Sequence, residues 1–130
     1  MTDQTTLAAI QRGLRRWARG VYPMEAAVEL LITAFPGAAM ECGPWLRHGD
    51  EDGYWIDVDE MTDDAVGTYS GGQTRIIAIA RSLLNGEPVN LYAAIPGLDD
   101  LRLAAVQTAI SHAWGHRPES YNYPTKEEPK

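Results

Sequence analysis

One short stretch of the chain has residue types and spacing suited to binding an anion. Its residues are Ser70, Gly71, Gly72, Gln73 and Arg75, at the start of an apolar helical run. A serine before a glycine pair is a typical N-cap, and the N–H groups at a helix start attract negative charge. The pattern predicts either a closely packed, capped helix start or a docking point for a phosphate or a partner's carboxylate, assisted by Arg75.

The segment 70–86 resembles the signature segment of ABC-type ATPases, but the other parts of such an enzyme are missing from the sequence. There is no Gly-rich phosphate loop ending in Lys-Ser/Thr, and the two lysines are Lys126 and Lys130. Ala93 and Ala94 stand where an acidic pair would hold Mg²⁺ and orient water. The sequence therefore excludes ATP hydrolysis by this route. Anion binding at the helix start is the only function that this segment still suggests.

Two further patterns match metal sites only in part. Residues 48–59 resemble a calcium loop, but the first position is His48 and the last is Asp59, not a bidentate glutamate. His112 and His116 have the spacing of two ligands on one helical face, yet the adjoining turn offers no carboxylate. We interpret His112 as a cation near a helix end. The sequence thus predicts no metal, no cofactor and no catalytic residue.

Charge is unevenly distributed along a chain whose net charge is −7. The first helix carries a stripe of arginines, and the segment 50–64 is strongly acidic. Each is a solvated face, a face paired with the other segment, or a docking surface. For the arginine stripe, the docked partner would be an acidic protein or, as a third hypothesis, a nucleic acid. The predicted partner-binding surface comprises Arg12, Arg15, Arg16, Arg19, Asp50, Glu51 and Asp52. Overall acidity argues against nucleic acid as the partner, because nucleic-acid binding needs a basic surface.

Hydrophobic periodicity predicts a mainly α fold, a single compact helical domain over 1–116 with a small β-hairpin near 45–58. The predicted helices are 6–20, 23–35, 72–85 and 99–114, with 72–85 at the centre of the core. Residues 117–130 lack periodicity and are expected to form a flexible C-terminal tail. A single cysteine, Cys42, no signal sequence and no long apolar run predict a cytoplasmic protein that does not enter a membrane.

A wider resemblance covers about residues 27–115. The motifs on which this resemblance rests are Trp45-Leu46, Ile56-Asp57, Ser70-Gly71-Gly72-Gln73 with Arg75, Ala80-Arg81-Ser82-Leu83 and Leu98-Asp99-Asp100. In these the chain resembles a group of small actinobacterial and actinophage proteins of uncharacterised function, although Gln73 stands where glutamate is common. The resemblance implies a single domain and transfers no catalytic residue.

These observations lead to a functional expectation and an alternative. The expectation is a non-enzymatic interaction or regulatory protein, of actinobacterial or phage origin, which binds a partner protein through the acidic segment or the arginine stripe. The alternative is a module that binds an anion or a nucleotide phosphate at the 70–75 helix start. The sequence leaves the oligomeric state and the identity of the partner open.

Overall fold

The protein is mainly helical with a small two-stranded antiparallel hairpin, as the sequence predicts. The structure, a computed structural model, describes residues 4–34, 45–49, 53–61 and 71–119, with side chains from residue 7 onward. Its elements are α1 (Gln4–Ala18), α2 (Tyr22–Ala34), β1 (Leu46–His48), β2 (Tyr54–Ile56), a 3-10 turn at Val58–Glu60, α3 (Gly71–Asn85), α4 (Leu91–Ala94) and α5 (Asp100–Trp114). Four residues of the predicted sites, Ser70, Asp50, Glu51 and Asp52, lie outside the described residues.

The first two helices form a pair joined by a tight turn. Ile10, Leu14 and Ala18 recur at spacings of four and bury the inner face of α1. Gly20 follows the helix with φ of 96°, a backbone conformation that costs glycine little and that other residues rarely adopt. The chain reverses there, and α2 packs against α1.

The centre of the core is α2, not the helix 72–85 that the sequence predicts. Eight of its 13 residues are buried, and it packs against α1, α3 and α5. By contrast, α3 buries Ile76, Ile77, Ile79 and Ala80. The sequence does not indicate that α2 is the central helix, because two of its buried residues are glutamates. Glutamates are rarely buried unless they are paired.

The hairpin lies beside α1. Its register pairs Leu46 with Ile56, Arg47 with Trp55 and His48 with Tyr54. Trp45, just before β1, is fully buried, and Ile56 adds its side chain to the same core. The 3-10 turn at Val58–Glu60 follows directly after the hairpin.

Polar caps fix where the last two helices begin. The side chain of Asn90 accepts from the Ala93 N–H and starts α4. The side chain of Asp99 accepts from the Arg102 N–H over 2.8 Å and starts α5. Such a cap provides a hydrogen-bond acceptor for one of the N–H groups that have no partner within the first turn of a helix. Within the described residues, no helix combines the length and apolar character needed to cross a membrane.

Candidate protein-interaction surface

The arginine stripe of α1 does not act as one surface. Arg15 turns towards α2, where its Nε and Nη2 donate to the two carboxylate oxygens of Glu29 over 2.7 and 2.9 Å. Glu29 is 4% exposed, so this two-point ion pair neutralises a carboxylate inside the core. Arg12 and Arg16 are exposed, and Arg19 is partly buried. Arg15 is therefore a structural residue that joins α1 to α2.

A second buried carboxylate joins three parts of the chain. Glu25 of α2 is fully buried and accepts from Nε2 of His112 over 2.9 Å, from Nε of Arg117 over 2.9 Å and from Nη2 of Arg117 over 2.5 Å. The Gly20 N–H donates to the same carboxylate over 2.9 Å. Because an ionised carboxylate only accepts, Nε2 of His112 carries the proton. We call these residues, Glu25, His112 and Arg117, the Glu25 cluster.

The charge of Glu25 is stabilised in place. Burial by itself raises the pKa of a carboxyl group, because it removes water from the charged form. Hydrogen bonds from Arg117, His112 and the Gly20 N–H, with the positive charge of Arg117, outweigh burial and lower the pKa of Glu25 below its ordinary value of 4.5. Glu25 is thus a carboxylate in the folded protein at neutral pH.

The Glu25 cluster is built to hold the fold together. A carboxylate beside an imidazole is also part of a catalytic triad, but here both side chains are 0% exposed. Arg117, the first residue of the segment predicted to be a flexible tail, is tied to α2 and lies over the ring of Tyr22 at 5.6 Å. His112 lies in the last turn of α5, as expected, but on the buried side.

At the start of α3, two guanidinium groups lie against the glycine pair. Nη1 of Arg75 is 3.3 Å from where a Cβ of Gly71 would be, and Cδ of Arg102 is 3.6 Å from where a Cβ of Gly72 would be. Nε of Arg75 donates to the Ala93 carbonyl over 3.4 Å. A methyl group on Gly97 would come within 2.6 and 2.8 Å of the Nη atoms of Arg75. Arg75 therefore bridges the start of α3 to the chain around α4, and Gln73 is partly buried beside it.

The outer face of α5 carries large apolar side chains that remain in water. Leu103 is 36% exposed, Ile110 is 56% exposed and Trp114 is 77% exposed. With the exposed Gln107 they stand at successive spacings of four, three and four along one side of the helix. We call Leu103, Gln107, Ile110 and Trp114 the α5 seam. The side of the helix that faces the core buries Val106, Ala109 and His112.

A groove of about 220 Å³ lies between α2 and α5, and none of the seam residues lines it. Small side chains such as Ala26, Ala104 and Thr108 line it, and Leu101 stands at its edge with 64% of its surface exposed. Glu29 and His112 contribute to its wall. The side chains of Glu29 and His112 are engaged in the contacts described above. The rest of the groove wall consists of apolar side chains and two threonines, Thr33 and Thr108.

The charge pattern of the sequence gives no indication of the α5 seam, because all four seam residues are uncharged. In α5, Leu101, Leu103, Ala105, Val106 and Ile110 point in several directions. A helix that is apolar on all sides is normally buried on all sides. α5 is the last helix of the described chain and has too few neighbouring elements to be buried on all sides. Its apolar residues on every side are therefore a sequence signal for an exposed apolar face.

Among the described residues, no three His, Cys, Asp or Glu side chains converge as a metal site would require. The chain matches no protein-family model, no curated protein and no solved structure.

Proposed function

We propose that this chain is a non-enzymatic interaction protein that acts by binding a protein partner, and that the α5 seam is its docking surface. The observation that carries the proposal is the exposure of Leu103, Ile110 and Trp114 on one side of one helix. Tryptophan is enriched among the residues that contribute most to binding between proteins. A contiguous apolar patch on a soluble domain commonly marks an interaction site.

The surface differs from the one expected from charge alone. Arg15 is occupied by Glu29, which leaves a smaller basic patch on α1 than the sequence suggests. The seam region from Leu103 to Trp114 contains no Asp, Glu, Lys or Arg. A partner can therefore cover it without removing water from a formal charge of this chain, which is the costliest part of forming an interface.

The experiment is site-specific photo-cross-linking in cells that produce the full chain. A photoreactive amino acid at position 107 places the probe in the middle of the seam, and the same probe at position 87, in the exposed turn after α3, is the control. We expect a defined protein adduct from position 107 and none from position 87. The absence of an adduct at 107, or the same adducts from both positions, would contradict the proposal.

The competing function is anion binding at the start of α3, where Arg75 and Arg102 flank the glycine pair. Both side chains already have a partner within the protein, because Nε of Arg75 donates to the Ala93 carbonyl and Nη1 of Arg102 donates to Asp99 over 2.7 Å. Nε of Arg102 is buried without a hydrogen-bond partner among the described residues, and it is the donor that an anion would use. Inorganic phosphate distinguishes the two functions. If it raises the thermal unfolding temperature of the protein but not of Arg75→Ala, and position 107 captures nothing, anion binding replaces our proposal.

A further inference from the structure

We infer that the α5 seam binds a second copy of this chain, in an antiparallel pair with two-fold symmetry. The inference rests on the proposed function, because it names the partner at the same surface. Three features of the described residues carry it: the order of residues along the seam, the charges around the seam, and the area that the seam exposes.

The spacing of the seam is that of a helix-pairing stripe. Positions that follow one another by four, three and four residues stay on one side of an α-helix and form the contact line of a two-helix coiled coil. Leu103 and Ile110 occupy one kind of position in this repeat, and Gln107 and Trp114 occupy the other. Antiparallel coiled coils place the two kinds opposite each other, so the seam is suited to an antiparallel partner.

The seam is also complementary to itself. Leu103 and Trp114 lie equally far from the midpoint of the seam, between residues 108 and 109, and so do Gln107 and Ile110. A two-fold axis at this midpoint places Leu103 against the partner's Trp114 and Gln107 against the partner's Ile110. Each large side chain thus meets a different residue, and every contact occurs twice, as a two-fold interface requires.

Charge favours this arrangement over others on the same molecule. A chain of net charge −7 repels its own copies over most of its surface, but the seam has no formal charge. Antiparallel pairing also brings the start of α5, with the exposed Asp100, to the partner's helix end, where the partner's His116 is exposed. Opposite ends of two helix dipoles then lie side by side, which is the attractive arrangement.

The area is sufficient for a weak and reversible dimer. An aromatic side chain presents about 150–250 Å², and Trp114 keeps 77% of its surface in water. Fully covered, the seam side chains of two copies together bury roughly 700 Å², which is below the standard size of a stable interface and in the range of weak, transient ones. We therefore expect a dimer with a micromolar dissociation constant, in which Gln107 fixes the register at some cost in affinity.

The test is sedimentation of the purified full chain from low micromolar to millimolar concentration, with two matched variants. Ile110→Glu places a charge in the seam, where the residue is 56% exposed. Leu101→Glu places the same charge on the same helix outside the seam, at a residue that is 64% exposed. We expect the dissociation constant to rise more than about tenfold in Ile110→Glu and to change little in Leu101→Glu. Circular dichroism checks that both variants are folded.

Single cysteines test the antiparallel register in a Cys42→Ser background. An antiparallel pair places Leu103 close to the partner's Trp114, whereas the two copies of Leu103 are about 16 Å apart along the helix axis, too far for a disulfide. Leu103→Cys and Trp114→Cys should therefore form disulfide-linked dimers when mixed and not when each is oxidised alone. Cross-linking of either variant alone would overturn the register.

A monomer at every concentration, or equal loss of dimer in both glutamate variants, would overturn the inference. If the purified chain is a monomer but position 107 captures a different protein in cells, the second copy is the wrong partner and the proposed function stands. If position 107 captures nothing and the purified chain is a monomer, both fail.

Discussion

At the scale of single residues, two buried glutamates decide how α2 is held. Each has a specific cation: Arg15 for Glu29, and Arg117, with the imidazole of His112, for Glu25. A carboxylate that loses its partner inside a core keeps the full cost of having left water. Neighbouring arginines that look alike in the sequence are therefore expected to differ greatly in their effect on stability, depending on whether they pair with a buried carboxylate.

The first prediction compares two neighbouring arginines of α1. Arg15→Ala leaves Glu29 buried without its two-point partner, so we expect the free energy of unfolding to fall by roughly 3 kcal/mol. Arg16→Ala, one residue away and exposed, should change it by less than about 0.5 kcal/mol. Urea unfolding followed by circular dichroism measures both. Equal effects would show that Arg15 does not hold Glu29 in solution.

The second prediction concerns acid. The pKa of Glu25 is lowered in the folded state, so the unfolded chain takes up this proton first as the pH falls. The stabilisation is fully present above the ordinary value of 4.5 and is lost below it, as the pH falls through the folded pKa. Glu25→Gln should lower stability at neutral pH by roughly 3 kcal/mol and flatten its dependence on pH below 4.5.

Urea unfolding between neutral pH and acid tests this prediction, with Glu87→Gln as the control at an exposed position. The control should keep the pH dependence of the original protein. If Glu25→Gln loses stability with acid as steeply as the control does, Glu25 is not the group responsible.

At the scale of elements, the sequence predicts the bounds of the helices but not which helices pack against each other. The spacing of apolar residues and the Gly and Pro residues at helix ends gave four helices and a hairpin close to their observed bounds, because these signals are local. Which helix lies at the centre depends on partners far away in the chain. Glu25 and His112 are 87 positions apart, and no pattern in the sequence connects them. For the same reason, the role of Arg15 could not be predicted.

The third prediction is about the start of α5. Asp99 accepts from the Arg102 N–H and also pairs with the Arg102 side chain over 2.7 Å. Asp99→Ala removes this cap and should cost about 1 kcal/mol, whereas Asp99→Ser keeps a capping oxygen and should cost less. Asp100→Ala, one position inside the helix, is the control with the smaller effect. Thermal unfolding of the three variants measures the order, and a reversed order would contradict the capping role.

At the scale of the whole molecule, the major elements share one apolar core, and the α5 seam is one of the apolar surfaces that remain in water. Outside α5 the exposed large apolar residues of the described chain are Val21, Tyr22, Trp55, Leu91 and Tyr92. The described helices and the hairpin contribute to one hydrophobic cluster around α2. The α5 seam is excluded from it because no further element of the described chain covers that side of α5. A second copy of the chain would cover the α5 seam.

The fourth prediction follows for the intact molecule. Association through the folded state stabilises it by mass action, so the midpoint temperature of thermal unfolding should rise with protein concentration. The rise should disappear in Ile110→Glu and persist in Leu101→Glu. Differential scanning calorimetry at several concentrations measures this, and a concentration-independent midpoint in the original protein would speak against a dimer.

The bond between Glu25 and Arg117 also has a consequence for the order of events during synthesis. Glu25 leaves the ribosome early, yet the two side chains that neutralise and orient it are 87 and 92 positions further along the chain. Until they emerge, burying α2 would place an uncompensated carboxylate in an apolar core. We therefore expect α2 to stay open in the nascent chain until α5 and Arg117 have left the ribosome, so that the domain folds in one late step.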